Sequence, residues 1–139
     1  MALTRQDYET YVRAFNPRDY DTLFAFFKDG VSLQAHGFAL IGKDQVRRFY
    51  DTFHAHVRET VSINGFHECG GTSIADVTIN FFGKEELRSK VMENIGLPAG
   101  PDVPKDANFD IHYVILYESD GEAITRIRTG TYEPPVSAG

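Results

Sequence analysis

Tyr11-Val12-Arg13-Ala14-Phe15-Asn16-Pro17-Arg18-Asp19-Tyr20-Asp21, continuing through Phe26-Phe27-Lys28-Asp29 to Gly42-Lys43-Asp44-Gln45-Val46-Arg47-Arg48-Phe49-Tyr50, carries the pattern that points most directly to an architecture. Tyr8, Tyr11, Val12 and Phe15 recur at i, i+3, i+4 and i+7, which puts them on one face of an amphipathic helix. Thr4 followed by Asp7 has the form of a capping box for that helix. Asn16-Pro17 stops it, because proline disfavours helical backbone in the residue before it. Asp19 or Asp21 can cap a short second helix carrying Leu23, Phe24, Phe26 and Phe27, with Gly30 as its end. Val31–Ala35 then reads as a strand, His36-Gly37 as a turn and Phe38–Ile41 as a partner strand. Val46, Phe49, Tyr50, Phe53 and Val57 share one face of a third helix running from Lys43 to Val57.

Outward from that stretch, Thr60–Glu68 and Ser73–Phe82 read as two strands around the Cys69-Gly70-Gly71-Thr72 turn. In the second, Ala75, Val77, Ile79 and Phe81 alternate with Asp76, Thr78, Asn80 and Phe82, so the odd-numbered side is expected to face inward. A final hairpin, Phe109–Glu118 and Glu122–Glu133, turns at Ser119-Asp120-Gly121. Its residues Phe109, Ile111, Tyr113, Ile115 and Tyr117 form the more aromatic face, and in the same register Thr129 and Thr131 face in while Arg126 and Arg128 face out. Between the hairpins lies residues 83–108, where Leu87, Val91 and Ile95 fall at four-residue spacing beside Met92, ahead of a segment rich in Pro and Gly. We read this as a short helix and an ordered loop, and expect it to serve as a lid.

Composition narrows the function. The chain has 139 residues, 42% hydrophobic and 24% charged. That is ordinary globular composition, with length enough to bury roughly two-thirds of the unfolded surface. One domain is expected over 1–134, with a flexible tail at 135–139. The net charge of −6 argues against nucleic acid, which requires clustered Lys and Arg. No apolar run approaches a membrane span, Met1–Arg13 lacks the apolar core of a signal peptide, and the single Cys69 excludes an internal disulfide. The expectation is a soluble cytoplasmic protein.

Five histidines raise the question of a metal. His54 and His56, two apart on a helix, point about 200° apart and cannot chelate together. No HxxxH, CxxC, GxGxxG or P-loop occurs, so neither metal nor cofactor is expected. Cys69 has no evident activator apart from His67 nearby. The tyrosines are the better lead: Tyr113 on the inward face of the last hairpin, and Tyr11 and Tyr50 on the buried faces of the first and third helices. Phenols in an apolar pocket can stabilise an oxyanion or act as general acids. Phe38, Phe53, Ile79 and Phe81 are expected to line that pocket, as are Met92, Phe109, Ile111, Thr129 and Thr131. The accompanying base is left open among His36, His54 and, in the opposite strand register, Asp110.

Helix, Asn-x-x-Asp turn, apolar run and Gly-led third helix together resemble the NTF2-like (SnoaL-like, ketosteroid-isomerase-like) superfamily. The resemblance implies an α+β cone, a bent and mostly antiparallel sheet wrapped around three N-terminal helices, and by analogy a homodimer. Tyr11-Val12-x-Ala14-x-Asn16-x-x-Asp19-x-Asp21 is similar to the first helix of ketosteroid isomerases, whose leading Tyr donates to a developing enolate oxygen. Carried over, that Tyr falls on Tyr11, a second family Tyr on Tyr50, the protonated Asp on Tyr113 and the catalytic base on Ala35. The isomerase's proton shuttle is thus missing, unless a small gap brings in Gln34 or His36. What the resemblance then implies is a cofactor-free enzyme acting by Tyr/His acid–base chemistry on a hydrophobic, oxygenated aromatic or polycyclic molecule, such as a lignin-derived diaryl compound. Lacking the isomerase base, it is expected to be a lyase (elimination, dehydration or retro-aldol). The alternatives are an isomerase or cyclase of SnoaL or ketosteroid-isomerase type, and a non-catalytic ligand- or protein-binding module.

Overall fold

A computed structural model describes residues 3–35, 38–97 and 102–133. The turn expected at His36-Gly37, part of the 98–104 loop and the 135–139 tail lie outside the described residues.

Helix α1 spans Arg5–Phe15. Both halves of its capping box form: the Asp7 N–H donates to Thr4 Oγ1 and the Thr4 N–H to Asp7 Oδ2, each at 3.1 Å. Helix α2 is a single turn, Tyr20–Phe24, whose Thr22 N–H donates to Asp19 Oδ1. It is shorter than expected, because Phe27 pairs with Ile124 and begins strand β1, Phe27–Ala35. Gly30 therefore lies inside a strand rather than at a helix end. Strand β2 is Phe38–Ile41, and helix α3, Lys43–His56, follows it. Strands β3 (Val57–Cys69) and β4 (Thr72–Gly83), helix α4 (Ser89–Asn94), and strands β5 (Asn108–Ser119) and β6 (Ile124–Tyr132) complete the order.

The six strands form one sheet in the order β2-β1-β6-β5-β4-β3, parallel only between β1 and β6. A register shift between Ile63 and Gly65 inserts an unpaired residue in β3, and such a bulge bends a strand. The bent sheet gives the expected α+β cone. On its concave side α1 buries Tyr8, Tyr11, Val12, Ala14 and Phe15, and α3 buries Val46, Tyr50, Phe53 and His54. Along β4 the buried positions are the odd-numbered ones, from Ser73 to Gly83, so the alternation seen in the sequence is realised. The opposite face is a polar ladder: Asn64 donates to Thr78, Thr78 bonds His112, and Asn80 donates to Asn108 and Asp110.

The segment between β4 and β5 is tied at its neck. Gly83 donates to the Ala107 carbonyl at 2.8 Å and Asp106 to that of Gly83 at 2.7 Å, while Leu87 and Val103 exchange both backbone hydrogen bonds at 2.8 Å. Leu87, Met92, Leu97 and Val103 are buried against the core.

Candidate active site

The cone encloses a cavity of about 580 Å³. Its walls carry the tyrosines Tyr8, Tyr11, Tyr50, Tyr113 and Tyr117, several phenylalanines, aliphatic side chains, and one ionisable carboxylate, Glu59. No Lys, Arg or His lines it among the described residues.

Of the side chains expected there, Tyr11, Tyr50 and Tyr113 line the cavity. So do Phe38, Phe53, Ile79, Phe81, Phe109, Ile111, Thr129 and Thr131. Met92 does not: α4 packs it into the core beneath the connecting segment, and Val103 is what that segment contributes to the wall. Ala35, on which the resemblance placed the isomerase base, lines the wall too and presents only a methyl group. Asp110 is bonded to Asn80 in the polar ladder of the outer face, and Gln34 is exposed, so neither reaches the interior. His54 is 2% exposed and sits behind the wall rather than in it.

Glu59 is the residue that sequence reasoning missed. The third helix ends at His56, and β3 begins at Val57 rather than Thr60, so Val57, Glu59 and Val61 alternate on the inward side of a strand. Its Oε1 lies 3.0 Å from His54 Nε2, and His54 Nδ1 lies 2.7 Å from the Tyr20 hydroxyl. Among the described residues Oε2 has no hydrogen-bond partner.

The phenols sort into two groups. Tyr8 and Tyr117 bond to each other at 3.0 Å, and Tyr11 packs against the same pair with its ring 5.7 Å from that of Tyr117. Tyr50 and Tyr113 donate to no protein group among the described residues, although Tyr50 is only 8% exposed. Nor does either hydroxyl number among the sealed, unpaired buried atoms, so both open into the cavity. Burial pushes Tyr8 and Tyr113 up to about 12 and raises Tyr11, Tyr50 and Tyr117 well above the ordinary tyrosine range. Burial is the leading cause at each, and the neighbouring Glu59 carboxylate adds a smaller push in the same direction at Tyr11, Tyr50 and Tyr113. These phenols are held neutral, as hydrogen-bond donors and not as bases. Among the described residues no three His, Cys, Asp or Glu side chains gather as a metal ion would need, and no helix is long and apolar enough to cross a membrane.

Residues 8–127 match the family model of the SnoaL-like domain. The chain belongs to the SnoaL-like family. No curated protein matches it in sequence. Among solved structures, a candidate polyketide cyclase from Pseudomonas putida superposes with a TM-score of 0.72 at 18% identity, over 96% of this chain and 92% of that one. A hypothetical protein with ketosteroid isomerase-like fold from Catenulispora acidiphila, in complex with trimethylamine, gives 0.69 at 15% identity, over 91% and 85%. An LEH-like epoxide hydrolase from M. tuberculosis gives 0.66 at 17% identity, over 90% and 79%. At these identities the likeness establishes the NTF2-like fold of this SnoaL-like domain; its chemistry rests on the cavity.

Proposed function

We propose that this SnoaL-like protein is a cofactor-free enzyme that moves a proton at carbon beside a carbonyl group, as an isomerase or cyclase. Glu59 is the general base, and Tyr50 and Tyr113 are the donors to the developing enolate oxygen. The observation that carries this reading is the pairing of one cavity carboxylate with cavity phenols, Tyr50 and Tyr113 among them, that have no protein hydrogen-bond partner among the described residues, in an otherwise apolar, aromatic chamber. Preorganised donors in a water-poor site stabilise charge that develops during reaction, without reorganising at that moment. A volume of about 580 Å³ suits a bicyclic or tricyclic molecule. The absence of any cation among the lining residues described favours a neutral ketone over a carboxylate-bearing substrate.

The expectation of an elimination rested on the missing base, and Glu59 supplies one. The same enolate has three fates. It can be reprotonated elsewhere, attack a second carbonyl to close a ring, or expel a β-substituent. In isomerisation the proton taken by Glu59 returns to another carbon, and in ring closure it goes to the new alkoxide, so neither route has to expel a group, and for that reason they are preferred here. The polyketide cyclase assignment of the Pseudomonas putida structure is in keeping with that choice.

A substrate-independent probe tests the base. 5-Nitrobenzisoxazole loses its C3 proton to a positioned base as its N–O bond breaks, giving the coloured 2-cyano-4-nitrophenolate. The protein is expected to accelerate this reaction, and Glu59→Gln to reduce the rate about 10²-fold or more. Tyr50→Phe and Tyr113→Phe should weaken turnover of enolisable ketones more than that of the probe, whose charge develops elsewhere. A Glu59→Gln protein as active as the parent would remove Glu59 from the role. Tight binding of 2-naphthol without turnover of the probe would instead identify a ligand-binding module.

A further inference from the structure

Behind Glu59 the cavity wall is crossed by hydrogen bonds that reach the outer surface. The Tyr20 hydroxyl lies 2.7 Å from His54 Nδ1 and 3.3 Å from the backbone carbonyl of Tyr50. The carbonyl can only accept, so the one hydroxyl proton is shared between the two contacts, and the shorter takes the larger part: Tyr20 donates chiefly to Nδ1 and weakly to the Tyr50 carbonyl. The ring proton of neutral His54 is then on Nε2, aimed at Glu59 Oε1 3.0 Å away. That is the arrangement a carboxylate requires, since it can only accept. The imidazole is clamped in this orientation. Tyr50 stacks on it at 5.0 Å with planes 4° apart, and Phe15 meets it edge-on at 5.4 Å. Tyr20, half-buried at the surface, is itself held by Phe24 edge-on at 5.8 Å and by the Arg47 guanidinium over its ring at 5.7 Å.

We propose that His54 and Tyr20 are positioning residues for Glu59: Tyr20 sets the His54 tautomer, and His54 holds Oε1 so that Oε2 alone is presented to the substrate. This rests on Glu59 being the base. Neither side chain touches the cavity, so neither is expected to contribute to substrate affinity. Their effect belongs to the geometry of proton transfer, where a base free to turn loses rate without losing binding. The arrangement is the familiar orientation of a catalytic group by a second one behind it, run here from a surface phenol through a buried imidazole to a cavity carboxylate.

The test uses 5-nitrobenzisoxazole with the full chain. Tyr20→Phe should lower kcat about 10-fold and His54→Phe about 10²-fold, each with KM unchanged, as removing an outer-shell orienting group commonly does. The double variant should be no slower than His54→Phe, because Tyr20 acts through His54 alone. Spectra of histidine-labelled protein, correlating ring protons with 15N, read the relay without any substrate. The parent should show His54 with its proton on Nε2, and Tyr20→Phe should show a mixture of tautomers. If Glu59→Gln is inactive while Tyr20→Phe and His54→Phe keep the parent's kcat, the relay is overturned and the base stands. If Glu59→Gln keeps its activity, the base itself falls. Should His54→Phe not fold, Tyr20→Phe decides: retention of both the parental kcat and the Nε2–H tautomer overturns the proposal.

Discussion

Asn16 closes the last turn of α1 and in the same place grips a strand far along the chain. Its side-chain carbonyl accepts the Val61 N–H at 2.8 Å, and its amide donates to the Val61 carbonyl at 3.1 Å. The side chain thus acts as a neighbouring strand would, two residues from Glu59 on β3. Asn16→Ala leaves both backbone groups of Val61 without partners and should cost about 2 kcal/mol in urea unfolding. Asn16→Asp, which keeps the acceptor and loses the donor, should cost less. The sequence marks Asn16 as a helix stop, but nothing local reveals a partner 45 positions on. Glu59 was hidden for a related reason. Taken as part of a helix-to-strand connection it looks like a solvated charge, and only as the middle of Val57-x-Glu59-x-Val61 on a strand does it turn inward.

Among the elements, the neck of the segment between β4 and β5 is set by a glycine. A Cβ on Gly83 would strike the carbonyl oxygen of Pro104, at the point where Gly83 bonds Ala107 and Asp106 across the neck. Gly83→Ala must open that crossing, and a destabilisation of about 1–3 kcal/mol is expected. Hydrogen exchange is the direct measurement. The amides of Lys84, Glu85 and Leu87 should lose protection in the variant, while those of β4 around Val77 keep theirs. The helical spacing of Leu87, Val91 and Ile95 marked an apolar stripe here, though α4 covers only Ser89–Asn94, and Leu87 sits in a bridge to Val103. Helix α2 shows the same limit. Phe26 and Phe27 continue an apolar run, yet pairing of Phe27 with β6 overrides the local preference.

Across the whole molecule, all seven tyrosines are raised above the ordinary tyrosine range. Burial is the leading cause for six, and the bond to Asp76 for Tyr132. Unfolding returns these phenols to water, where they ionise near pH 10. Between there and about pH 12, where the folded state still protonates Tyr8, Tyr20 and Tyr113, the unfolded chain binds fewer protons than the folded one. Stability must therefore fall as pH rises through that interval, by about 3 kcal/mol for fully buried Tyr8 alone. Urea midpoints measured from pH 8 to 12 should be flat at first and then drop steeply. Tyrosinate absorbance should rise with unfolding rather than near pH 10.

Helices α1 and α3, the strand alternation and the inward direction of Tyr11, Tyr50 and Tyr113 are legible along the chain, and the Tyr11–Tyr50 stretch carries the family resemblance. The elements and the inward tyrosines follow from the 3.6- and 2-residue periods with which a chain shows one face to a core. Folding alone assembles the group of side chains on which the proposed chemistry rests. Tyr20, His54 and Glu59 come from α2, α3 and β3, and their spacing on the chain is not a motif. They meet because the bent sheet closes around α1 and α3 and because β3 starts immediately where α3 ends, which turns one carboxylate inward. Hydrogen-bond partners are set by distance in space, and no periodicity along a chain encodes them.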